Sequence, residues 1–119
     1  MWARANWLTL AALAGFASVA FGAFAAHGIG DPRAQELLRT GSLYGFVHAL
    51  ATLATGVLTP RARLAPALFL AGVLLFSGSL YALALGAPPL VGAITPVGGL
   101  SFLAGWLALA WAVRRVDRV

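Results

Sequence analysis

The sequence predicts an all-α membrane protein, a four-transmembrane-helix antiparallel bundle with a short interfacial helix between spans one and two. Hydrophobic residue types make up 61% of the 119 residues and charged types 9%, whereas about 25% of the residues in a soluble domain are charged. Residues 64–113 contain no Asp, Glu, Lys or Arg. Because one span takes about 20 apolar residues, this run holds two spans. The length leaves room for a single integral-membrane domain, residues 1–119.

The first two spans are predicted at residues 7–26 and 41–59, each free of charged residues. The first apolar run is longer than the roughly 7–15 residues of a signal-peptide core, so we expect it to remain in the mature protein. Between these spans, Asp31 is a suitable N-cap and Pro32 a suitable first helical residue. A short interfacial helix is therefore expected here, running directly into span two.

The last two spans are predicted at residues 65–85 and 97–113. Consecutive prolines, Pro88 and Pro89, separate them because proline cannot continue a helix.

The distribution of arginines predicts the orientation in the membrane. Six of the eight arginines lie on one side of the predicted spans and two, Arg33 and Arg39, lie on the other. Basic loops favour the cytoplasmic side. We therefore expect a multi-pass protein of the bacterial inner (plasma) membrane with both termini cytoplasmic. The six arginines of the first group are Arg4, Arg61, Arg63, Arg114, Arg115 and Arg118.

Small residues in spans one and two predict the helix-packing faces. Helices associate in lipid through close contact, which favours small residues. At 100° per residue, the polar residues of span two, from Tyr44 to Thr59, fall within an arc of about 80°, beside several glycines. The Gly41 and Gly45 pair also has the spacing of a dimerisation motif. The predicted helix-packing residues are Gly15, Gly22, Gly41, Gly45 and Gly56.

Polar residues in or beside the outer halves of the spans form a candidate ligand-binding site. A histidine inside a membrane span is by default a functional candidate, although one that bonds a neighbouring group can simply hold helices together. A histidine at a helix end can also satisfy backbone carbonyls. The candidate residues are His27, Tyr44, His48, Ser77, Tyr81 and Thr95.

Five fragments, in order along nearly the whole chain, resemble the YgdD/YwdK-like family of small bacterial inner-membrane proteins, a domain of unknown function. The resemblance implies a four-helix inner-membrane protein and supplies no reaction. Two positions depart from the family pattern, Ala25 in place of glycine and Gly45 in place of glutamine. The fragments are GAFAAHG at 22–28, YxxxHAL at 44–50, FSGSLY at 76–81, GAITPVGG at 92–99 and Gly105-Trp106.

Several functional classes lack the residues that they require. The chain has no cysteine, no set of nucleophile, base and orienting group, and too few histidines for a closed zinc site. We therefore predict neither an enzyme nor a metal site, cofactor or nucleic-acid partner. The preferred hypothesis is a non-catalytic interaction or accessory bundle that forms a homo-oligomer or joins a larger membrane complex. The alternative is binding or passive passage of a small amphipathic ligand or lipid at the candidate site.

Overall fold

The computed structural model describes residues 3–118, and these residues form four long helices with no strand. We name them α1 (Arg4–His27), α2 (Pro32–Leu58), α3 (Leu64–Ala84) and α4 (Thr95–Arg114). A 3₁₀ turn, Pro89–Ala93, leads into α4, and another, Val116–Arg118, follows it. Each of the first three helices, and α4 together with the 3₁₀ turn before it, is long and apolar enough to cross a membrane. The predicted fold class, an all-α membrane protein with four spanning helices, is confirmed.

Helix α2 begins where the sequence indicates. The Asp31 carboxylate accepts a hydrogen bond from the Ala34 backbone N–H, at 2.9 Å, and Pro32 is the first helical residue. No break separates the interfacial helix from the second span, since both belong to one helix of 27 residues. At 1.5 Å per residue, α2 is about 40 Å long. Its first turns therefore extend beyond a hydrocarbon core of about 30 Å.

The helices run antiparallel, with α2 and α3 in the centre. Helix α1 packs mainly on α2, and α4 packs mainly on α3. In the most apolar 18-residue stretch of each span, 44% of the residues are buried in α2 but only 17% in α1 and in the segment Pro89–Arg114 that contains α4. The molecule measures 53 × 25 × 24 Å. The two outer helices thus offer most of their surface to lipid or to another protein.

Helix α3 contains a π-helical turn, Val73–Ser77, beside its closest approach to α4. A Cβ atom built on Gly98 of α4 would lie 2.3 Å from the backbone nitrogen of Phe76. Gly72 and Gly105 are also crossing points, since a Cβ on either would lie within 2.6 Å of a phenylalanine ring atom on the other helix. Three glycines therefore allow α3 and α4 to approach each other. The small-residue patterns of spans one and two did not indicate this contact.

Candidate functional site

His48 is buried near the middle of α2 and both of its ring nitrogens are hydrogen-bonded. Its side chain is 4% exposed. The indole nitrogen of Trp106, on α4, donates a hydrogen bond to His48 Nε2 at 3.0 Å. Because an indole N–H can only donate, Nε2 accepts and Nδ1 carries the proton of a neutral imidazole. That Nδ1–H donates to the backbone carbonyl of Tyr44 at 2.7 Å.

Aromatic rings surround this imidazole. The Phe102 ring is stacked on it with centroids 3.6 Å apart and an interplanar angle of 9°. The Phe69 and Trp106 rings lie at centroid distances of 5.6 and 5.8 Å. Helices α2 and α4 make few other contacts, so this group links them across α3. We call it the His48 cluster, formed by Tyr44, His48, Phe69, Phe102 and Trp106.

A second polar group, which we call the hydroxyl cluster, comprises Ser18, Ser77 and Tyr81 around Gly45. Ser77 donates a hydrogen bond from α3 to the Gly41 carbonyl of α2 at 2.7 Å, and Ser18 donates within α1. A Cβ on Gly45 would lie 2.5 Å from Ser18 Oγ and 3.1 Å from Ser77 Oγ. Three helices therefore meet at this glycine.

The phenol of Tyr81 is the unusual member of the hydroxyl cluster. Its ring stacks on Phe21 with centroids 3.9 Å apart, and its side chain is 8% exposed. The hydroxyl is buried and makes no hydrogen bond within residues 3–118, although the Ser18 and Ser77 hydroxyls lie close to it.

The six candidate residues occupy four places instead of one. Tyr44 and His48 lie together in the His48 cluster, and Ser77 and Tyr81 lie together in the hydroxyl cluster. Thr95 pairs instead with Ser79, with their oxygens 2.5 Å apart. His27 is exposed at the end of α1. Residues 3–118 contain no group of three or more His, Cys, Asp or Glu side chains suited to a metal ion.

The predicted packing glycines differ in how closely they are packed. A Cβ on Gly22 or Gly56 would lie 2.7 or 2.5 Å from a side-chain atom of the neighbouring helix. On Gly41 it would lie 2.6 Å from the Tyr81 ring. Gly15 has more space, since the nearest atom, Ala49 Cβ, would be 3.9 Å away. Thus Gly41 and Gly45, whose spacing resembled a dimerisation motif, are in contact with α3 and α1 of the same chain.

A family model described as "Protein of unknown function (DUF423)" matches residues 21–99. The match spans both clusters apart from Ser18, Phe102 and Trp106. The chain belongs to the DUF423 family. The resemblance drawn from the sequence fragments is confirmed, because the relatives include the YgdD protein itself.

Curated relatives of this DUF423 protein cover most of its length. The UPF0382 membrane protein of Haemophilus influenzae is 47% identical over 89% of this chain and 91% of its own. The UPF0382 inner membrane protein YgdD of Escherichia coli is 46% identical over 90% of this chain and 88% of its own. A UPF0382 membrane protein of Staphylococcus haemolyticus is 39% identical over 86% of this chain and 89% of its own. No solved structure matches the chain.

Proposed function

We propose that this DUF423 protein is a non-catalytic accessory bundle of the bacterial inner membrane that self-associates or joins a larger membrane complex. The main support is that most of its membrane-embedded polar side chains are hydrogen-bonded within the bundle. Both nitrogens of His48 are occupied, and Ser77 bridges two helices. Thr52 and Thr55 bond to the backbone of their own helix. These hydrogen-bonded groups stabilise a bundle and leave no unused donor or acceptor for a substrate; within residues 3–118 the buried Tyr81 hydroxyl is the exception.

The outward face of α1 is the surface best suited to a partner. At 100° per residue, Ala20 lies opposite the stripe that packs on α2, and Ala12 and Ala23 lie towards the sides of that face. All three are exposed, as are the larger Leu13 and Phe16 beside them, at 59% and 74%. The outward face of α4 also carries large residues, including Leu103 and Leu107, which are 63% and 74% exposed, and its Ala104 and Ala110 are exposed as well. Small residues permit close helix contact, whereas leucine packs equally well against lipid. We assign the interaction to α1, because a small residue, Ala20, occupies the centre of its outward face, and the lipid contact to α4, because Leu107 occupies the corresponding place there.

Disulfide cross-linking in native membranes tests this assignment. The chain has no cysteine, so Ala20→Cys introduces a single thiol. Two copies with the same membrane orientation, related by a two-fold axis, bring the same residue of each α1 together. We expect Ala20→Cys to give disulfide-linked dimers on mild oxidation. Leu107→Cys, on the outward face of α4, is the matched control and should remain monomeric.

Two outcomes would contradict this proposal. Equal cross-linking of the two variants would mean that contact is random. No cross-linking, together with a purified monomer that carries no second protein, would remove both forms of the interaction hypothesis. The alternative function, binding of an amphipathic ligand by the six candidate residues, has less support because those residues do not lie together.

For orientation, we propose that both termini and the turn between α2 and α3 are cytoplasmic. The arginine distribution supports this proposal. Gly30→Cys and Arg61→Cys would place thiols at opposite ends of the bundle, and a Cβ on Gly30 would meet no atom within 4 Å. In intact spheroplasts, a membrane-impermeant maleimide should label Gly30→Cys at once and Arg61→Cys only after permeabilisation. The reverse pattern would invert the topology.

A further inference from the structure

A groove of about 690 Å³ lies between the turn that joins α2 to α3 and the last turn of α4. Among residues 3–118, no acidic side chain lines it. A smaller cavity of about 310 Å³, on another side of the same turn, is lined by Arg4 and also by Arg61 and Arg63. The charged residues that line the larger groove are Arg61, Arg63 and Arg115, and its main apolar residues are Leu58, Leu64 and Trp111.

The charge of the groove favours an anion. Its arginines come from two elements, the turn after α2 and the end of α4, so they approach a ligand from two sides. A guanidinium presents a planar set of donors that matches phosphate oxygens. The helix dipoles do not add to this attraction, because the groove lies at the N-terminus of α3 but at the C-termini of α2 and α4, and C-termini carry partial negative charge. The arginines therefore supply the attraction.

The apolar part of the groove favours a lipid as the source of that anion. Leu58, Leu64 and Trp111 are 56%, 64% and 64% exposed, so their surfaces are left uncovered beside the arginines. Inorganic phosphate would use only the charged side chains. An anionic phospholipid has a phosphate for the arginines and an acyl chain for the apolar wall, and basic pockets between membrane helices are suited to such head groups.

We propose that this groove binds an anionic phospholipid, with its phosphate at Arg61 and Arg115 and an acyl chain against Leu58, Leu64 and Trp111. The site lies at one end of the bundle and is distinct from the outward face of α1. The lipid-binding proposal therefore does not depend on self-association.

Native mass spectrometry of the full chain, released from mixed micelles, tests the proposal. The micelles contain equal amounts of phosphatidylglycerol and phosphatidylcholine with identical acyl chains. We expect the wild type to retain one phosphatidylglycerol in preference to phosphatidylcholine. Because each arginine near a membrane surface contributes about 1 kcal/mol, or roughly a factor of five, the double substitution Arg61→Gln with Arg115→Gln should lower this preference roughly 25-fold.

The opposite end of the molecule supplies the matched control. Arg33→Gln with Arg39→Gln removes the same net charge from two residues that are also exposed, and it should leave the preference unchanged. Helical circular dichroism on both double variants checks that each is folded. An equal loss in the two double variants would show a general effect of net charge and overturn the proposal, as would equal retention of the two lipids by the wild type.

A third variant separates a lipid from a free phosphate. Trp111→Ala removes part of the apolar wall of the groove and keeps every arginine, so we expect it to lower retention of phosphatidylglycerol. In a parallel sample, inorganic phosphate should not displace the lipid from the wild type. Complete displacement by phosphate, with Trp111→Ala retaining lipid as the wild type does, would make the groove an anion site only and overturn the lipid assignment.

Discussion

Replacing Gly98 by alanine is expected to lower the free energy of unfolding by about 3 kcal/mol, at the upper end of the range for overpacked sites. The new Cβ would lie 2.3 Å from the backbone nitrogen of Phe76 and 2.7 Å from its Cα. These atoms belong to the backbone of α3, so a change of rotamer cannot make space for the methyl group. The two helices must separate or bend, and the contacts around the crossing weaken with them.

The adjacent residue provides a control on the same helix. A Cβ on Gly99 would have its nearest contact at 3.9 Å, with the Phe76 ring, which is ordinary van der Waals distance. Because glycine costs about 1 kcal/mol relative to alanine within a helix, Gly99→Ala should leave stability unchanged or raise it slightly. Unfolding in mixed micelles, followed by circular dichroism, measures both variants. Equal stabilities would contradict the close crossing of α3 and α4.

The spans could be predicted from the sequence because lipid imposes a simple requirement. Uncharged runs of about 20 residues must become helices there, and the paired prolines at 88 and 89 mark the break between the last two. The start of α2 could also be predicted from the sequence, since Asp31 and Pro32 act locally on the helix N-terminus. The π-helical turn at Val73–Ser77 was not predicted. It lies beside the α3–α4 contact at Phe76, and hydrophobic periodicity along one helix carries no signal from a neighbouring helix.

The candidate site shows the same division between local and distant information. Tyr44 and His48 lie one turn apart on α2, and their spacing was enough to associate them. Phe102 and Trp106 come from α4, so their contacts with His48 depend on the order of helices in the bundle. That order is not encoded in residue spacing. The one signal for Trp106 in the sequence was its place in the last fragment of the family resemblance.

Substitution of His48 is expected to affect stability as strongly as any polar change in the chain. His48→Ala removes a buried ring stacked 3.6 Å from Phe102 and leaves a cavity, so we expect a loss of about 3 kcal/mol, as for other buried large-to-small changes. His48→Phe keeps an aromatic ring against Phe102 but loses both hydrogen bonds. It should cost less, about 1–2 kcal/mol, because hydrogen bonds between membrane helices contribute modestly.

A double-mutant cycle with Trp106→Phe isolates the hydrogen bond between the two rings. Because either change alone breaks the bond, the His48→Phe and Trp106→Phe effects should be non-additive, with a coupling of about 0.6–1.7 kcal/mol. Trp111→Phe makes the same chemical change further along α4, at an exposed residue, and should combine additively with His48→Phe. Zero coupling with Trp106 would mean that this bond does not stabilise the bundle. His48 would then again be a candidate for ligand binding, because its Nε2 lone pair could bind a ligand without a loss of bundle stability.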